Sequence, residues 1–83
     1  TVDSSTVSPR DVFRTALELS STRIILVHNH PGGTLLASQG DIQVTRSMVL
    51  AGHHIGIRVI DHVIVAQGQF ISLMDQHAHL FEV

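Results

Sequence analysis

The chain has no cysteine and no lysine, and only two prolines. Without thiols, disulfides and thiolate metal sites are excluded, so any metal ion must be held by nitrogen and oxygen. All five cations are arginines (Arg10, Arg14, Arg23, Arg46 and Arg58), scattered through a chain of net charge −2. Such scatter lacks the basic patch of a nucleic-acid binder and argues against DNA binding by this fragment alone. No apolar run approaches the roughly 20 residues of a membrane span, and no signal peptide is visible. The expected location is the cytoplasm. Low-complexity tracts, charge blocks and internal repeats are also missing, which argues against disorder.

What is present is 83 residues, 43% of them apolar. That suffices for one domain over residues 1–83, burying roughly 60–65% of its unfolded surface. The first residue is Thr1 rather than Met, so an excised domain is expected. Residues 1–7 are polar and expected to be extended. In "SPRDVFRTALELSS", Ser8 is placed as an N-cap, Pro9 at the first helical position and Asp11 three residues after the cap. Phe13, Ala16 and Leu17 share one helical face, and Glu18 belongs to the solvated side. Ser20, Ser21 and Thr22 end this helix. Arg23 to His30 reads as a strand whose continuous apolar run suggests a central position, covered on both faces. "SQGDIQVTRSMVLAG" is a second helix, capped by Ser38, with Gly52 as its stop. "IGIRVIDHVIVA" is a strand region, followed by a turn at 67–69 and a short strand "FISL". Alternation of helices and strands indicates an α/β fold.

The stretch "IILVHNHPGG" runs four apolar residues into two histidines and then breaks the strand. Side chains alternate along a strand, so His28 and His30 face the same way with α-carbons about 6.6 Å apart. Two imidazoles can converge from there on one ion at about 2.0–2.1 Å. Asn29 faces the other side. Asp41, eleven residues after His30, falls in the first turn of the second helix, which a short loop can bring back over the strand end. Open α/β sheets place ligands at that end. Two histidines and a carboxylate with a position left for water match the ligand count of a catalytic zinc centre. An ion so held lowers the pKa of its water towards about 7. Taken singly, His-x-His also fits ordinary strand residues, and Ser-x-x-Asp fits a plain helix cap.

In "HNHPGGTLLASQGD" these signals occur together: His-x-His, seven residues, Ser, two residues, Asp. The pattern resembles the JAMM metalloprotease signature. "HNHPGG", "DIQVTRSMVLAG" and "GIRVIDHVIV" together resemble the bacterial RadC family, over about Thr1 to Leu73. The resemblance implies a JAB/MPN fold similar to cytidine deaminases: a sandwich with a central mixed sheet flanked by helices, here expected to lack its N-terminal strands. It implies zinc at His28, His30 and Asp41, and it matches Ser38 to the serine that helps hold the tetrahedral intermediate in active JAMM peptidases. Gly32 stands where the family has Ser, and Gly40 where it has an acidic or other polar residue. Active JAMM enzymes also carry a glutamate general base on a strand upstream of the first helix, and this chain begins after that point. Losing a general base costs about 10²–10⁴ in rate.

The remaining histidines divide. Asp61-His62 matches a recurrent pair in the RadC pattern; adjacent strand residues face opposite sides, so at most one points at the site, in a structural, supporting or substrate role. His53 and His54 follow the second helix and suit the surface near its negative end. His77-Ala78-His79 has neither a strand before it nor an acid after it, and a mobile tail is expected there. Two functions follow from the resemblance. One is a zinc-dependent hydrolase of peptide or isopeptide bonds, with a protein or peptide substrate. The other is a metal-stabilised binding module serving a protein partner or DNA repair, the label under which RadC-like proteins are known, with any DNA contact supplied by neighbouring domains. A truncated sheet would expose an edge and favour homo-oligomers.

Overall fold

The structure, a computed structural model, describes residues 8–83. The stretch 1–7, expected to be extended, lies outside the described residues. The elements are α1 (Pro9–Glu18), β1 (Arg23–Asn29), α2 (Gln39–Ile55), β2 (Arg58–Ala66), β3 (Gln69–Ser72), α3 (Leu73–Gln76) and a 3-10 turn at Ala78–Phe81. β1 and β2 pair in parallel across the α2 crossover, and β2 and β3 pair antiparallel, giving a mixed sheet of order β1-β2-β3. The expected α/β class with a mixed sheet and packed helices is what is found, consistent with a JAB/MPN-like fold.

Local chemistry sets most boundaries. Ser8 caps α1 by accepting the Asp11 N–H, with Pro9 in the first turn. Ser38 caps α2 in a reciprocal box: its hydroxyl accepts the Asp41 N–H and its own N–H donates to the Asp41 carboxylate. Gln67 and Gly68, both with positive φ, make the tight β2–β3 turn. The inner face of the sheet packs on α1 and α2 through a core of Phe13, Ala16, Leu26, Met48, Val49, Ile57 and Val59.

Several expectations change. α2 does not stop at Gly52; it runs to Ile55 and ends on Gly56 in the left-handed region, φ 78°. Gly52 is instead a contact residue, because a Cβ there would collide with the Ile57 carbonyl oxygen. Leu17 lies off the buried face of α1, at 59% exposure. Among the described residues β1 is an edge strand, and it alternates: Leu26 and His28 are buried, Ile25 and Val27 are exposed. Among the described residues its apolar run is covered on one face only. β3 starts at Gln69, and Leu73 opens α3, which Ser72 caps by accepting the Asp75 N–H. Residues 73–81 are not a loose tail. Leu73 and Leu80 are buried, and Arg46 donates to the carbonyls of Leu80 and Glu82, tying this segment to α2. No helix among the described residues is long and apolar enough to cross a membrane.

Candidate metal centre

His28 and His30 stand at the C-terminal end of β1, and the loop after Pro31 returns the chain so that the first turn of α2 lies above them. Asp41 reaches both. Its Oδ1 is 2.9 Å from His28 Nδ1, and its Oδ2 is 2.8 Å from His30 Nε2. One ligand atom from each of the three residues lies within 4.8 Å of the other two. His28 and Asp41 are buried, and the two histidine rings meet edge to face, 4.8 Å between centroids.

The donor set fits a cation. His28 Nδ1 is buried and makes no hydrogen bond, although Asp41 Oδ1 is close. Such an orphaned atom is costly unless something else satisfies it. His30 Nδ1 is 2.9 Å from the Thr34 carbonyl oxygen, which can only accept, so Nδ1 carries the hydrogen there. In a neutral ring that leaves the Nε2 lone pair facing a carboxylate oxygen. Two acceptors so opposed need a proton or a metal ion between them. The Thr34 carbonyl thus orients His30 as outer hydrogen bonds orient histidine ligands in metal sites.

Burial by itself would raise the Asp41 carboxyl, but the Ser38 N–H and hydroxyl, then His30 and His28, outweigh it and hold the group below the ordinary aspartate value. Asp41 is therefore an anion, placed at the positive end of α2. His62 is lowered as well, which for an imidazole favours the neutral ring. Burial, then the neighbouring His28, push its imidazole below the usual range, partly offset by Asp41 and Asp61. Its ring stacks near His28, 6.0 Å between centroids, and its Nδ1 meets the Thr45 hydroxyl. Asp61 turns to the other side of the sheet, where it accepts the Ser72 hydroxyl and the Met74 N–H.

The expected ligands His28, His30 and Asp41 are brought together, with Ser38 beside them as cap. His53 and His54 sit exposed in the last turn of α2. His77 and His79 face one another with ring centroids 6.0 Å apart and belong to no ligand group among the described residues. Thr45 was not singled out from the sequence. Its position four residues after Asp41, on the same helical face, was the available signal. A cleft between the end of α2, the start of β2 and Phe81 lies at the other end of α2 and contains none of these ligands.

Two strand histidines and a helix-capping aspartate converging at the end of a parallel strand define a class: a small α/β domain with a group able to hold a metal ion. The RadC-like JAB domain matches residues 1–79, and the chain belongs to that family. It is 47% identical over 81 residues to a UPF0758 protein of Caldanaerobacter subterraneus, covering 98% of this chain and 35% of that protein. A UPF0758 protein of Moorella thermoacetica is 47% identical over 76 residues, covering 92% and 33%. One from Methanosarcina barkeri is 45% identical over 75 residues, covering 90% and 33%. The chain spans about a third of the length of these curated relatives.

Proposed function

We propose that this domain is the metal-binding part of a zinc-dependent hydrolase acting on an amide, a peptide or isopeptide bond in a protein substrate. The observation that carries the reading is the orphaned Nδ1 of His28 beside an ionised Asp41 and a His30 whose other nitrogen is already committed to Thr34. His28, His30 and Asp41 would hold the ion, and nitrogen and oxygen donors in this number suit zinc with one position open. The chemistry such an ion supplies is activation of water near neutral pH. Ser38 accepts the Asp41 N–H with a lone pair; its one hydroxyl hydrogen, which helps hold the Asp41 carboxylate, would turn from there to an oxyanion developing at the substrate carbonyl.

A general base is also required. Neither of the chain's two glutamates, Glu18 and Glu82, is in the ligand group. A second reading takes the ion as a structural clip and the domain as a binding module for a protein partner. An assay of a longer, zinc-loaded chain that includes the upstream glutamate, on peptide- and isopeptide-linked substrates, separates the two. The hydrolase reading expects cleavage that is lost on chelation and in His28→Ala. A protein that retains zinc but cleaves neither type of bond supports the module.

A further inference from the structure

β1 and β2 are paired Ile24 with Val59 and then Ile25 with Asp61, so Ile60 is an extra residue on β2. Regular alternation from the buried Val59 would turn Asp61 and Val63 towards the helices. The bulge shifts the phase by one, and His62, Ile64 and Ala66 are turned inward instead. His62 is thereby 1% exposed and lies beside the His28 ring at an interplanar angle of 20°. Its Nδ1 meets the hydroxyl of Thr45, which is wholly buried, and that hydroxyl donates to the Asp41 carbonyl at 2.7 Å. A hydroxyl has one hydrogen. With it committed to Asp41, the Thr45 oxygen accepts from the His62 Nδ1–H. A continuous path of contacts then runs from His28 on β1, through His62 on β2 and Thr45 on α2, to the backbone of Asp41.

We propose that His62 and Thr45 are positioning residues of the metal centre. They brace the first turn of α2 against the sheet and fix the spacing between His28 and Asp41 that a shared ion requires. Neither belongs to the ligand group, so they act through the ligands. A plain core role accounts for less. An apolar pair would fill the same space without two buried polar groups that must satisfy each other. The inward turn of a histidine here depends on the bulge, a device that elsewhere re-aims side chains beside functional sites. The same phase shift frees Asp61 for the opposite face, where it anchors the β3–α3 corner.

The proposal rests on the metal-centre reading, and a cobalt titration distinguishes failure of one from failure of the other. The protein is titrated with Co2+ and followed by its visible absorption, alongside Thr45→Val, Thr45→Ser and His62→Phe. Val keeps the shape of threonine without the hydroxyl; Ser keeps the hydroxyl without the methyl; Phe keeps a ring beside His28 without the nitrogens. Loss of an outer-shell partner weakens metal affinity by about 10–100-fold. Thr45→Val and His62→Phe are expected to fall in that range with a displaced cobalt band, while Thr45→Ser stays close to the unsubstituted protein. Circular dichroism checks folding of each variant, and if Thr45→Val does not fold, Thr45→Ser and His62→Phe decide by the same criterion. Unchanged affinity and band in a folded His62→Phe would overturn the brace alone. No cobalt band in the unsubstituted protein would overturn the metal-centre reading and the brace with it.

Discussion

Ser38 accepts the Asp41 N–H and returns its own N–H to the Asp41 carboxylate, so the residue that starts α2 also holds the anionic ligand. As a cap, its replacement by Ala is expected to cost about 0.5–2 kcal/mol, and replacement by Gly only a few tenths. Urea unfolding of Ser38→Ala and Ser38→Gly measures this directly. As an oxyanion donor it would act only as charge develops. In a longer chain that includes the upstream glutamate, Ser38→Gly would then keep its stability and metal while kcat falls by about 10²–10³-fold. Recovery of stability and turnover together in Ser38→Gly would leave the serine as a cap only. The candidate ligands His28, His30 and Asp41 are legible in the sequence because their spacing is local: His-x-His fixes a shared strand face, and Ser-x-x-Asp fixes a helix start. The role of His62 was not legible. Its facing is decided by a bulge, and pairing register between strands leaves no mark in either strand alone.

Among the elements, α2 shows how a local signal can be overridden by packing. Two glycines compete for its C-terminus, and Gly56, in the left-handed conformation, is the stop. Gly52 lies in the last helical turns because β2 begins so close that the Ile57 carbonyl oxygen occupies the place of a Cβ. Gly52→Ala is accordingly expected to destabilise the protein by about 1–3 kcal/mol, as overpacking does, despite alanine's better helix propensity. A thermal melt equal to or above that of the unsubstituted protein would refute the close-packing account. β1 shows the opposite limit. Its run of apolar residues predicted burial on both faces, yet Ile25 and Val27 are 57% and 70% exposed. Composition recorded the strand but not what lies beside it. The apolar pattern carries the expected strand through Leu73, whereas β3 ends at Ser72, whose cap turns Leu73 into α3.

For the whole molecule, the outer edge of β1 carries no partner strand among the described residues, and exposed Ile25 and Val27 lie along it. Edges of this kind pair with other chains unless charge or a bulge blunts them. Sedimentation velocity is expected to show concentration-dependent association of the 83-residue chain, reduced by Val27→Lys on the exposed face. A chain that is monomeric at every concentration would contradict this.

The central claim, that α2 closes over the end of β1 to make one metal centre, is tested most directly by metal content after exhaustive dialysis. The three-ligand geometry predicts about one zinc per chain, lost in His28→Ala and in His30→Ala. It also predicts retention when His77 and His79 are both replaced, since they lie outside the ligand group. Zinc that survives both His28→Ala and His30→Ala, or that leaves with His77 and His79, would contradict the account.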